Sequence, residues 1–420
     1  MRKNLTNHKS AISNYNIYTI VFLILFVLNW NSSCIAQQKI TGKVLDKETG
    51  RVVEFCNVYV KNNNPIGTAT NEIGEFALSL SSDLFIKDTL LFTVIGYISL
   101  NVPLKELIQN GEQKDFYITP ASYSIEPVEI YAPSEKAKEI VSKAISRKSK
   151  NYSNKNHVLR AFYRESQINV SDSTYQYLIE ADLYILDQGI KKSRDRVRVA
   201  INQMRRSDDL RSSIERRAIF KMIGKFLKTS NSLYAYNMHF LKEGDENFGW
   251  FNKHFLEKHN FYMYKQLTWE NDSIVIIRFN GKITSSKGIY NLGLIHINIK
   301  DYAILKVEYA FEQGNFKQKK LQIFEKNSDG YYYPRLFQSV DLNQEKLLLF
   351  YDVENDNQSF EKVSRKSSTE KTIDTFDIQY TYDEIFWKNY NMLQLAPVSI
   401  KIVKDLERTR DLKEQFYKPK

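Results

Sequence analysis

Glycine and proline are scarce in this 420-residue chain, at 15 and 8 against 27 Tyr and 25 Phe. That balance excludes a collagen-like or low-complexity chain and suits antiparallel sheet, whose half-buried pleats accommodate aromatic rings. Cysteine is nearly absent, with only Cys34 and Cys56, so a disulfide-stapled scaffold is excluded. Histidines number 6, and no H-E-x-x-H, G-x-S-x-G, G-x-x-x-x-G-K or Rossmann glycine pattern occurs, which removes the commonest metal, nucleophile and phosphate-loop chemistries. Long apolar runs are missing as well. The run from Ile17 to Leu28 spans 12 residues, short of the roughly 20 that a helical membrane span needs.

That short run has the form of an export signal. Arg2, Lys3 and Lys9 precede it, and Cys34 and Ala36 stand at the −3 and −1 places of a cut before Gln37. Residues 1–36 are therefore expected to be a signal peptide, and the protein to be exported to the periplasm or an outer-membrane-associated location. Lipidation of Cys34 is the alternative, although that chemistry prefers an aliphatic residue where Asn31 stands. After cleavage Cys56 alone remains. It alternates with Val58 and Val60, as a small core residue would; a reactive thiol would want an accessible, electropositive setting.

What is present is a series of short strands punctuated by turns. Residues 37–120 contain ITGKVL, VEFCNVYV, GTAT, EFALSL, TLLFTVIGYI and KDFYITP, separated by DKETG, NNNPIG and NEIG. Strands at spacings near ten residues predict an all-β sandwich of immunoglobulin-like, prealbumin-type form. Three patterns carry a family resemblance: Gly42 to Gly50 (GKVLDKETG), Gly67 to Phe76 (GTATNEIGEF), and Gly96 with Tyr97. With them this stretch resembles the carboxypeptidase regulatory-like domain found at the front of exported envelope proteins of Bacteroidetes-type bacteria. The resemblance implies structural roles for Gly42, Gly50, Gly67, Gly74, Phe76, Gly96 and Tyr97, as turns and packed strand positions. Gly67 and Gly74 are expected at turns, with Phe76, Leu78 and Leu80 pointing into the core.

Residues 121–150 read as a linker with Pro127 and Pro133, then an amphipathic helix. Ser134 is placed to cap it, and Ala137, Ile140, Val141, Ala144 and Ile145 form one apolar face. Residues 151–420 again read mainly as strands, among them YLIEADLYIL, DRVRVAI, SIVIIRFNGKI, AILKVEYAFE and KLLLFYDV, with helical period over Ser212 to Lys228. The expectation is mainly β, α+β overall: a large antiparallel-sheet domain with a few helices. FYRES, EADLYI and DEIFWKNYNML resemble the region following the regulatory-like domain in a Bacteroidetes family of unknown function. Some members of that family end in a membrane β-barrel; this chain stops before one, so pore activity is not expected. GLIHINIKDYAILKVEYAF is similar to curved-sheet strands of periplasmic lipoprotein carriers.

The name of the first family invites a search for zinc. His254 and Glu257 form an H-x-x-E, but three protein ligands are needed, and His296 is too near in sequence to be the distant third that such peptidases use. No metal or cofactor is expected. Asp208 with Asp209, and Asp245 with Glu246, are adjacent carboxylates pointing opposite ways in extended chain, and read as charged loops.

Charge is more informative. The chain carries +11, yet residues 190–228 hold 13 Lys or Arg against 4 Asp or Glu. Arg194, Arg196 and Arg198 alternate on a predicted strand, and Arg205, Arg206 and Arg211 follow. The plainer reading is a solvated sheet face; the functional one is an anion-binding surface. Export disfavours nucleic acid, so an envelope protein, a lipid headgroup, lipopolysaccharide or an acidic glycan is the expected partner, with peripheral membrane contact. The sequence thus points to a non-catalytic envelope protein whose sandwich positions a β-rich binding domain. The rivals are a lipid or glycan carrier using a curved sheet, and an enzyme whose site is not recognisable.

Overall fold

The computed structural model describes residues 37–61, 63–81, 88–107, 114–121, 123–125, 132–192, 197–214, 239–242, 251–281, 290–313, 316–366, 380, 382–390 and 400–417. The expected signal peptide, most of the helix expected over Ser212 to Lys228, and Asp245 with Glu246 lie outside these residues.

The N-terminal unit is the expected sandwich. One sheet has the order β4 (Glu75–Ser81), β1 (Gln37–Asp46), β7 (Lys114–Ile118), with β1 antiparallel to β4 and parallel to β7. The other has the order β3 (Asn63–Ala69), β2 (Asn57–Val60), β5 (Thr89–Thr93), β6 (Leu100–Pro103). Phe76, Leu78 and Leu80 from β4, with Cys56, Val58, Val60, Phe92 and Phe116, fill the space between the sheets. The rings of Phe92 and Phe116 stack at 4.6 Å, with Phe76 at 5.5 Å from both.

The motif residues divide by physical role. Gly50, Gly74 and Gly96 have φ of 68°, 76° and 97°, where an L side chain is strained. Gly42 lies inside β1, where a Cβ would stand 2.4 Å from the Phe116 ring. Gly67 departs from expectation: it lies within β3, not in a turn, opposite Tyr59, whose Cβ would be 2.6 Å from an added one. Its lack of a side chain serves close strand approach. The separate motifs also meet: Asp46 accepts from the Glu48 and Thr49 amides and from the Tyr97 hydroxyl at 2.8 Å.

The second unit is one antiparallel sheet of eleven strands, in the order β11 (Arg198–Arg206), β10 (Tyr175–Asp187), β9 (His157–Ile168), β18 (Gln344–Glu354), β17 (Tyr332–Val340), β16 (Phe316–Lys326), β15 (Ile304–Gln313), β14 (Tyr290–Asn298), β13 (Asp272–Gly281), β12 (His259–Trp269), β8 (Tyr123–Ile125). The segment expected as a linker thus supplies the edge strand β8. Helix α1 (Glu135–Asn151) begins as expected: Ser134 Oγ accepts from the Ala137 amide, and Ala137, Ile140, Val141 and Ala144 are buried. They join Leu159, Ala161 and Tyr163 of β9 and Ile179, Ala181 and Leu183 of β10 in the main core. Alternation along each strand defines this α1 face and an opposite face.

The opposite face has two covers. The sandwich lies over β16, β17 and β18, where Phe55 and Ala69 pack with Ile323, Leu336, Leu347 and Leu349. Phe55 is buried at φ 53°, a left-handed conformation that costs a non-glycine residue roughly 1–2 kcal/mol. Over β9, β10 and β11 lie α3 (Asn357–Lys366), α4 (Glu384–Asn389), α5 (Ile400–Leu406) and α6 (Leu412–Tyr417), through Val363, Trp387, Ile402, Leu406 and Phe416.

Candidate functional site

Where the sandwich meets the sheet, a cleft of about 190 Å³ opens between Tyr59 of β2 and the ends of β16, β17 and β18. Two irregularities in strand register shape it. Ile323 pairs with Leu336 but Phe324 with Pro334, so Arg335 is an extra residue on β17. Likewise Phe350 pairs with Ala161 and Asp352 with Arg160, so Tyr351 is extra on β18. Each is a β-bulge, a device that re-aims a side chain, and both bulged residues line the cleft. Pro334 has no N–H to give a ladder and in a central strand is tolerated only at such a bulge.

Arg335 is held on three sides. Its Nε donates to Asn57 Oδ1 at 3.0 Å, its Nη1 to the Phe350 carbonyl at 2.6 Å, and Glu325 lies 3.8 Å away. Asn57 also donates through Nδ2 to Glu325, so one buried sandwich residue ties Arg335 and Glu325 together. Tyr333 donates to Asp329 at 2.7 Å and Tyr351 to Asp182 at 2.6 Å. Burial and the neighbouring carboxylates push both phenols far above their ordinary range, and burial raises Tyr59. All three remain neutral at physiological pH. Burial also raises the Glu325 carboxyl, with Arg335 opposing it.

A second polar cluster lies on the same face under the C-terminal helices. Glu180, fully buried, accepts from Arg164 Nε at 2.8 Å and Arg205 Nε at 2.7 Å. Burial pushes its carboxyl up, but the two guanidiniums more than offset this and hold it below its ordinary value. Asp182, equally buried, accepts from Arg160, Asn202, Tyr351 and Tyr390. Every charge here has an internal partner.

Three of the arginines expected on an anion-binding surface, Arg205, Arg206 and Arg211, are placed otherwise. Arg205 is committed to Glu180. Arg211 is buried, bidentate to Asp209 with both bonds at 2.8 Å, and stacked on Tyr177. Arg206, paired with Ile179, is on the α1 face and lies over the Tyr380 ring. Arg198 is exposed at the start of β11, and Arg194 and Arg196 lie outside the described residues. Asp208 and Asp209 are not a solvated loop either: Asp208 binds Arg410 at 2.6 and 2.9 Å, and both carboxylates are buried. Arg205 and Arg211 thus serve as scaffolding, through Glu180 and Asp209.

His254 and Glu257 do lie on one short helix, α2 (Lys253–Lys258), 3.5 Å apart, but both are about 70% exposed. His259 is buried as the first residue of β12, its Nδ1 2.9 Å from the Phe255 carbonyl. Among the described residues no group of three or more His, Cys, Asp or Glu is placed to hold a metal. Cys56 is fully buried, and burial pushes its thiol well above the usual range.

Sequence reasoning missed the cleft. Its one local signal was Pro334 inside YYYPRLF, a proline in what otherwise reads as a central strand.

Residues 40–130 match the family model of the CarboxypepD_reg-like domain. The match covers the sandwich and the start of the connection, and no peptidase domain is shown. No curated protein matches the chain. Among solved structures, the chain is similar to a LolA superfamily protein from Nitrosomonas europaea at 12% identity, covering 53% of this chain and 94% of that one, with a TM-score of 0.25. It is also similar to a DUF1329 family protein from Desulfovibrio piger at 9% identity, covering 53% and 95%, with a TM-score of 0.26.

Proposed function

We propose that this chain is an exported, non-catalytic binding protein of the cell envelope, in which sandwich and sheet together hold a polar ligand in the cleft between them. The observation that carries this is the pair of bulges. Two neighbouring strands each break register at the residue, Arg335 or Tyr351, that lines the same cleft, and the sandwich closes it with Tyr59. Bulges interrupt ladder hydrogen bonds, so two that converge on one opening fit a binding role better than a purely structural one.

A non-catalytic role is supported by how most of the buried carboxylates are used. Glu180, Asp208 and Asp209 each face arginine, and Asp182 faces Arg160. Groups so neutralised are poor proton shuttles. The rival lipid carrier needs an open apolar volume, whereas the rings of Phe240, Phe251, Phe255, Phe261 and Phe279 pack against one another on the α1 face.

The test is recovery from native envelope. Wild type and an Arg335→Ala, Tyr59→Ala double variant are purified under mild conditions, and the small molecules released on denaturation are compared by mass spectrometry. A species present with wild type and lost from the double variant is the expected result. Identical release from both proteins would remove the cleft from the function.

A further inference from the structure

The cleft's lining narrows the chemistry of its occupant. Its charges balance: Lys326 and Arg335 on one side, Glu325 and Asp352 on the other. A phosphate or polyanion would meet two carboxylates, and an acyl chain would meet four charged groups. A hydroxyl, by contrast, both donates and accepts, and so satisfies carboxylate and guanidinium alike. The aromatic part of the lining adds a second constraint. The hydroxyls of Tyr333 and Tyr351 are committed to Asp329 and Asp182, so these residues present mainly ring carbon to the cleft, as flat apolar surface beside the polar groups. Size adds a third: at about 190 Å³ the cleft is smaller than the roughly 300–1,000 Å³ of drug-sized sites. It accommodates one ring-sized unit.

Flat apolar rings beside charge-balanced donors and acceptors suit a ligand with hydroxyls around its edge and C–H groups on its faces. We infer that the cleft binds a single saccharide unit, the terminus or one residue of a glycan, stacked on Tyr59 and Tyr351 and hydrogen-bonded by Arg335 and Asp352. This rests on the cleft reading above and names its ligand class.

The experiment uses the full chain and saturation-transfer NMR with methyl glycosides of glucose, mannose, galactose and N-acetylglucosamine, beside alanyl-alanine and inorganic phosphate as probes of the competing chemistries. At least one glycoside should bind. Tyr59→Ala and Tyr351→Ala should each weaken it about tenfold or more, while Tyr351→Phe, which keeps the ring and loses the hydroxyl's bonds to Asp182 and Tyr390, should weaken it less than Tyr351→Ala does. Unchanged thermal unfolding of Tyr59→Ala separates lost binding from lost folding. Cleft-dependent binding of the dipeptide or phosphate with no glycoside bound would overturn the saccharide assignment and leave the cleft as a site. Binding of none of the probes, together with non-carbohydrate material released from envelope-purified protein, would also overturn it. Glycoside binding unaffected by both alanine variants would overturn the assignment and the cleft together.

Discussion

One face of the eleven-stranded sheet is covered in two ways, and the two covers use charge oppositely. Under the C-terminal helices, acids and arginines are buried in matched sets, with Glu180 between Arg164 and Arg205 and Asp208 against Arg410. Under the sandwich the carboxylates are less well answered. Burial and repulsion from Glu72 raise Glu345 and Glu54, and burial raises Glu325. The helical cover is therefore an electrostatic clasp, which loses heavily if any member is removed. The sandwich cover is a seam held mainly by Phe55 and its apolar neighbours, with strained acids at its margin. A tight clasp fits a structural task; a looser, charge-rich seam fits a place where something binds.

The sharpest way to break this contrast is at Glu180. Glu180→Ala leaves two guanidiniums facing each other in the interior and should cost about 3–5 kcal/mol of stability, read by denaturant unfolding. A loss near zero would mean that the clasp is decorative. Phe55→Ala should cost about 3 kcal/mol, with increased proteolysis or hydrogen exchange confined to the sandwich and β16 to β18. Loosening of the C-terminal helices instead would show that the covers are not independent. Tyr351→Phe, which removes the hydroxyl's bonds to Asp182 and Tyr390, should cost about 1 kcal/mol.

Acid should move the two covers in opposite directions. Glu180 is depressed below its ordinary 4.5, so its contribution is present above that value and is lost as pH falls through the folded pKa. Glu345 and Glu54 are raised above 4.5, so their contribution is full below 4.5 and lost as pH rises through their folded values. From neutrality down toward 4.5 the seam should tighten, and below 4.5 the clasp should weaken. Melting curves against pH for Glu345→Gln and Glu180→Gln test each limb: the first should flatten the upper limb and the second the lower. The smallest effect belongs to His254→Ala. Its pair with Glu257 is solvent-exposed, so stability should change by less than about 0.5 kcal/mol.

The sandwich was legible in the sequence because its alternating strands are punctuated by turn residues, and helix α1 because cap and apolar face coincide. Strand β9 was harder to see. HVLRAFYRESQI carries Arg160, Arg164 and Glu165 in a strand buried on both faces, and such charges read as surface until Glu180 and Asp182 are found on the neighbouring strand. The same blindness affected the arginines of β11. Their count was visible at once, but the neutralisation of Arg205 depends on a contact with the neighbouring strand, to Glu180. Strand β12 was masked by the helical look of WFNKHFLEKHNFY, which is helix from Lys253 to Lys258 and strand from His259. The cleft was hidden because it exists only once two distant segments, Tyr59 and residues 325–353, are brought together.

Cys56 gives the sandwich a chemical clock. Its sulfur is fully enclosed between the two small sheets, so a thiol reagent can reach it only when that enclosure opens. In a Cys34→Ser background, labelling of Cys56 reports the opening rate of the sandwich alone, whatever the large sheet is doing. If a ligand bridges the two units, saturating it should slow that labelling even though it never touches the sulfur.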